Sequence, residues 1–171
     1  MRKYLTTPLE NNIIESLSVG DMIYISGYIY TGRDAVLPKI VSLIESGKLD
    51  DFGINLKGSV IFHTAVSVAG VGPTSSNKFE IESSIPALSV AGVKIHLGKG
   101  ELNKDTIQTL AKYNSVYAVM PPVTALLNSK TISKKVIAFP ELGMEAFYLL
   151  EVNNYPAIIA SAHGKSIYDG K

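Results

Sequence analysis

Cysteine is absent from these 171 residues, and neither sign of charge dominates: 16 lysines and arginines face 15 aspartates and glutamates, a net charge of +1. Each shortage removes a class of function. Without cysteine the chain holds no disulfide and no thiolate metal site, so any soft-metal chemistry must come from elsewhere. A near-neutral chain makes no electrostatic case for a nucleic-acid or membrane partner. No apolar run approaches the length needed to span a bilayer. The opening residues, Met1 to Pro8, lack the apolar core of a signal peptide, so cytoplasmic residence is expected. What is present is apolar: 46% of residues are hydrophobic and 18% charged. The length suits one domain over residues 1–171, with a core of useful size. A mean hydropathy of +0.20 fits a domain that hides one face against a partner.

No repeat, low-complexity segment or linker interrupts the chain. Met22 to Tyr30 reads as a strand after the turn at Gly20-Asp21. Asp34 is placed to cap a helix running to about Ser46, with Val36, Leu37, Ile40, Val41 and Ile44 at helical spacing, Pro38 in its first turn and Gly47 at its end. Ser59 to Ala65 predicts a second strand, followed by a glycine-rich loop to Gly72-Pro73. Asn77 with Glu80 resembles a capping box ahead of a helix carrying Ile81, Ile85 and Leu88, with Pro86 inside it. Val93 to Leu97, Val116 to Met120 and Lys135 to Phe139 read as strands. Asn103 caps a helix bearing Ile107, Leu110 and Ala111, Pro121-Pro122 stops the strand before it, and Val123 to Leu127 is a short helix. Phe147 to Val152 and Ala157 to Ala162 are expected to pair around Asn153-Asn154. Strands alternate with helices, which predicts a mixed α/β domain. Such folds bind ligands in loops after strand ends.

Three short motifs occupy loops of that kind. Arg33-Asp34 sits at a strand-to-helix turn, where a guanidinium can grip a carboxylate bidentately and Asp34 can orient it. Gly72-Pro73-Thr74-Ser75-Ser76-Asn77-Lys78 gathers hydroxyls and backbone N–H groups before a helix, whose N-terminus favours anions. Gly98-Lys99-Gly100 lets the backbone approach a ligand while Lys99 supplies charge, although the spacing of a Walker motif is absent. Taken one at a time, an exposed arginine beside a cap, a capped loop and a simple turn explain these motifs as well. His63, His96 and His163 show no metal-ligand spacing, and structural roles are expected for them. Glu141 and Glu145 read either as paired carboxylates or as part of a capped turn. Tyr24, Tyr28 and Tyr30, at strand spacing, are assigned to packing.

As an ordered set the motifs resemble the β subunit, or C-terminal domain, of class I fumarate hydratases and the related L(+)-tartrate dehydratases. The matching segments are Leu5-Thr6-Thr7-Pro8, Gly20-Asp21, Ser26-Gly27 through Arg33-Asp34-Ala35, Gly72-Pro73-Thr74, Gly98-Lys99-Gly100, Glu141 to Ala146 and the Gly164 region. The resemblance implies a swivelling β/β/α domain and a tricarboxylic acid cycle hydro-lyase that hydrates fumarate to L-malate. L-tartrate dehydration, or a carboxylate-binding or assembly module without turnover, stands as the alternative. It further implies a hetero-oligomer with a cysteine-bearing α subunit that holds a [4Fe-4S] cluster, and no metal on this chain. By motif position Arg33 would grip a carboxylate of a small dicarboxylate substrate and Lys99 would add a second cation. Thr74 would lie at the moving proton with Ser75 adjacent, and Asp34, Gly72, Gly98 and Gly100 would support them. Lys78 takes the place of a family arginine, Ser75 that of a second threonine, Leu37 that of a histidine, and Pro121-Pro122 that of a glycine pair.

Overall fold

The computed structural model describes residues 1–67, 70–74, 78–120 and 124–170. Among the described residues ten strands and five helices follow one another: β1 (Arg2–Thr6), α1 (Asn11–Glu15), β2 (Met22–Thr31), α2 (Leu37–Glu45), β3 (Val60–Phe62), β4 (Thr64–Ser67), β5 (Gly70–Thr74), α3 (Lys78–Val90), β6 (Ile95–Gly98), α4 (Lys104–Lys112), β7 (Val116–Val119), α5 (Thr124–Ser129), β8 (Thr131–Ala138), β9 (Phe147–Ala162) and β10 (Lys165–Ser166). Short 3-10 turns cover Leu49–Phe52 and Pro140–Glu145. The class is α/β, with a mixed sheet as expected. The strand pairings return to their starting point. β2, β3, β6 and β7 pair in parallel in that order, and the long β9 runs antiparallel to both β7 and β2. β1, β8 and β10 pair onto this ring from outside, and β4 with β5 forms a separate hairpin.

Closure follows from strand alternation. Ile23, Ile25 and Ile29 of β2 point into the ring, where they join Val60 and Phe62 of β3 and Leu97 of β6 in one buried cluster. The intervening positions face the other way: Tyr30 of β2 and Ile61 of β3 pack beneath α2 with Leu37 and Ile40. A third cluster packs α3 and α4 against the ring through Ile85, Ile107 and Leu110. No helix among the described residues is long and apolar enough to cross a membrane.

Four expectations need correction. Phe147 to Ala162 is one strand, not a hairpin, because Asn153-Asn154 forms a bulge. On β9 two residues separate Val152 from Tyr155, whereas on β2 Ser26 alone separates their partners Gly27 and Ile25. Asn154 takes φ 54, and its N–H donates to Ser26 Oγ at 2.9 Å. The expected strand from Ser59 to Ala65 breaks at His63, where the chain leaves the ring for the hairpin. The expected loop before Gly72-Pro73 includes strand β5. Asp34 does not cap α2: the cap position is Val36, no side chain caps it, and Asp34 is exposed. Asn103 does precede α4, again without a side-chain cap bond; its N–H is instead taken by Glu82. The Asn77 capping residue and Pro121-Pro122 lie outside the described residues.

Candidate functional site

β2, β3, β6 and β7 end side by side, and backbone bonds lace their ends together. Gly32 N–H donates to Phe62 O at 3.1 Å, His63 N–H to Leu97 O at 3.0 Å, and Met120 N–H to Gly98 O at 3.0 Å. Three of these ends run directly into a segment singled out from the sequence: Arg33 after β2, the hairpin that carries Thr74 after β3, and Gly98-Lys99-Gly100 at the end of β6. Neighbouring strands lie about 5 Å apart, so Arg33 and Lys99 start from strands two places apart, with the hairpin's root between them.

Arg33 is half-buried and already engaged. Its Nε donates to both carboxylate oxygens of Glu145, at 2.5 and 2.9 Å, and its Nη2 lies 2.5 Å from Oε1. Glu145 ends the 3-10 turn Pro140–Glu145, 112 residues away in sequence. It, and not Asp34, orients the guanidinium. Glu141 is exposed and does not pair with Glu145, so the two carboxylates are not a dyad. The Arg33 turn depends on Gly32: a Cβ there would lie 2.6 Å from Val36 Cγ1 and 3.3 Å from the Phe147 ring. Leu37, where the resemblance expects a histidine, is buried in the cluster under α2.

Thr74 closes β5 with its backbone paired to Thr64, directly after His63. Side chains of Thr74 and Lys78 are not among those described, Gly72 lies within β5, and Ser75 lies outside the described residues. Lys78 opens α3. On the other flank Lys99 is exposed, and among the described residues no carboxylate pairs with it. The space a side chain would fill at Gly98 is closed by the Tyr117 ring at 3.2 Å, and the Tyr117 hydroxyl donates to Gly100 O at 3.1 Å. Burial, with Tyr168 and Glu82 nearby, pushes the Tyr117 phenol up, so it stays a neutral donor. Gly100 adopts φ +83, a conformation that suits glycine.

Sequence reasoning missed a buried chain between these segments. His63 Nε2 lies 3.0 Å from His96 Nδ1, and His96 Nε2 lies 3.1 Å from Ser89 Oγ; all three side chains are buried. Burial pushes His63 down to about 4, and burial together with His63 holds His96 well below the ordinary histidine range. Both rings are therefore neutral at neutral pH. The available signal was a histidine inside each of two apolar strand runs, Ile61-Phe62-His63 and Ile95-His96-Leu97. His163 is elsewhere, bonded to Leu17 O. A cleft of about 640 Å³ lined by Pro8, Asn55, Lys57, Gly58 and Lys94 lies at the beginnings of β3 and β6, away from every candidate residue. Its Lys94 is committed to the carbonyls of Tyr113 and Asn114. Among the described residues no three His, Asp or Glu side chains gather to hold a metal ion.

Comparison with known proteins covers the same span. The chain is 31% identical to the putative L(+)-tartrate dehydratase subunit beta of Methanocaldococcus jannaschii, over 98% of this chain and 91% of that protein. It is 28% identical to the L(+)-tartrate dehydratase subunit beta of Escherichia coli K12, over 98% and 87%. Identity to a putative class I fumarate hydratase of Geobacillus stearothermophilus is 27%, over 96% of this chain but 33% of that longer protein. The profile of the family described as Fumarase C-terminus matches residues 2–170, and the chain belongs to that family.

Proposed function

We propose that this chain is the β subunit of a two-subunit class I hydro-lyase that adds or removes water on a four-carbon dicarboxylate, with fumarate and L-malate as the first substrate pair. The observation that carries the reading is the single sheet edge where Arg33, the Thr64–Thr74 pair and Lys99 follow three adjacent strands. A dianion leaves water only for fixed cations. Arg33, held along one side by Glu145, keeps the Nη1 side of its fork for a substrate carboxylate. Lys99, exposed on its turn, supplies the second cation, and Lys78 a third at the start of α3. Thr74, with Ser75 beside it, takes the carbon-bound proton in its alkoxide form, which the nearby cations stabilise, and so becomes the hydroxyl.

A chain without cysteine does not fit an iron–sulfur cluster. The [4Fe-4S] cluster belongs in this reading to a cysteine-bearing α subunit, and when bound it supplies a Lewis acid for the substrate hydroxyl. The G. stearothermophilus relative supports that division, because this chain corresponds to only a third of it. The complex is placed in the cytoplasm. L-tartrate is the second reading, favoured by the names of the M. jannaschii and E. coli relatives.

Anaerobic co-production with the α subunit, followed by the loss of fumarate ultraviolet absorbance, tests the reading. Turnover that requires both chains is expected. A cluster-loaded complex that dehydrates L-tartrate and ignores fumarate and malate selects the second substrate. A complex that turns over none of them refutes the hydro-lyase assignment.

A further inference from the structure

The Ser89–His96–His63 chain spans three elements that carry the proposed site, and it deepens that reading. Ser89 lies in the last turn of α3, the helix that Lys78 opens. His96 is in β6, two residues before Gly98 and three before Lys99. His63 follows β3 directly and immediately precedes Thr64, whose backbone pairs with Thr74. Beyond the backbone pairing of β3 with β6, this is the buried side-chain linkage among the described residues that joins the hairpin root, the lysine turn and the helix.

We propose that His63 and His96 are positioning residues for the hydro-lyase site, fixing the Thr74 hairpin against the Lys99 turn through one buried hydrogen-bond chain anchored on Ser89. The inference rests on the function proposed above. The linkage has direction. If His63 Nε2 donates to His96 Nδ1, then His96 Nε2 carries a proton and donates to Ser89 Oγ; if Ser89 donates, every bond in the chain reverses. Either way each ring is held by the next, and no member can rotate without breaking a bond in an apolar interior, where an unmet polar group is costly. Neutral rings suit this role, since protonating both would set the N–H of His63 Nε2 against that of His96 Nδ1, and burial keeps both rings neutral. His63 Nδ1 is the loose end: it is buried and without a partner among the described residues. The ring is therefore held through its other nitrogen alone, at His96.

The test uses His96→Leu, which cuts both bonds; His96→Asn, whose short amide can keep the His63 bond; and Ser89→Ala, which removes only the helix anchor. In the assembled α–β complex His96→Leu is expected to lower kcat on the order of ten- to a hundredfold, as a displaced catalytic group does. KM should change less than about threefold, and His96→Asn should recover a large part of the loss. Amide hydrogen exchange on the β chain alone is the second readout. In His96→Leu it should quicken at Val66, Val71 and Met120, whose N–H is held by Gly98 O, and stay unchanged at Ile107 and Leu110 of α4. Wild-type kcat in His96→Leu, or exchange that quickens uniformly, overturns the proposal. Should His96→Leu not fold, Ser89→Ala is read the same way, with a smaller loss of kcat and faster exchange at the same hairpin sites. Because exchange needs no turnover, a wild-type complex that is inactive on fumarate, malate and L-tartrate removes the hydro-lyase reading, and exchange then decides whether the linkage fixes these loops.

Discussion

Glu145 sets what Arg33 can do. Both side chains are about a quarter exposed, with relative accessibilities of 26% and 24%, so their ion pair contributes little to stability, about 1 kcal/mol or less. Its value lies in holding the guanidinium in one orientation. Glu145→Gln should therefore leave the urea midpoint nearly unchanged and lower kcat/KM roughly ten- to a hundredfold, mainly through KM if Arg33 binds a carboxylate. Equal losses of stability and activity would assign the pair to the fold. The histidine pair makes a separate prediction in pH. An unfolded histidine titrates near 6.5, whereas in the fold burial pushes His63 down to about 4 and His96 lower than its ordinary range. Between those values the unfolded chain binds more protons, so stability rises with pH through the window and is lost as pH falls from about 6.5 toward 4. The slope reaches at most about 1.4 kcal/mol per pH unit for each histidine. Urea midpoints measured at pH about 7 and about 5 should differ in the wild type and differ less in His63→Phe, where buried His96 alone keeps the dependence. Asp21, held down mainly by the Ser18 N–H and also by Lys3, acts below its usual 3.8 and does not enter that window.

The elements show where local sequence signals are decisive and where tertiary pairing overrides them. The strand from Met22, α2 with Pro38 in its first turn, and α3 with Pro86 inside it follow the apolar spacing seen in the sequence. Asn153-Asn154 carries a true turn signal, and Asn154 does adopt a left-handed conformation. Its flanks nevertheless pair with β2 and not with each other, because the bulge keeps Val152 and Tyr155 both facing the core. Arg33, Thr74 and Lys99 stand out in the sequence as site candidates because each follows an apolar run. The Arg33–Glu145 pair and the His63–His96 chain were not, since no period in the sequence connects residues so far apart. Gly32 was also overlooked, and its role is steric. Gly32→Ala would force a methyl against Val36, Leu37 and Phe147 at 2.6 to 3.3 Å. Overpacking of this kind costs about 1–3 kcal/mol. The expected result is a lower urea midpoint together with weaker turnover, because the strain is relieved by moving the residue that precedes Arg33. A midpoint equal to that of wild type would show that α2 gives way freely.

At the scale of the whole molecule, closure of the sheet brings the proposed site residues of a cysteine-free chain to one end of its strands. The ring requires β9 to reach both β2 and β7, so it is built from contacts distant in sequence, and strand order is invisible to local patterns. Once closed, the interior is filled by side chains such as Ile25, Phe62, Leu97 and Tyr155, and all four parallel strands deliver their ends to one edge. The chain has no thiolate, and among the described residues no set of His, Asp and Glu could take a thiolate's place. The isolated chain should therefore unfold in one cooperative step whose urea midpoint is the same with and without a strong chelator. In the assembled complex the same chelation should abolish turnover while the β chain's core amides, such as those of Ile25 and Leu97, keep their slow hydrogen exchange. A chelator-sensitive midpoint in the isolated chain would place a structural metal on it and contradict the proposed division of labour between a cluster-bearing chain and a chain that binds and orients the dicarboxylate.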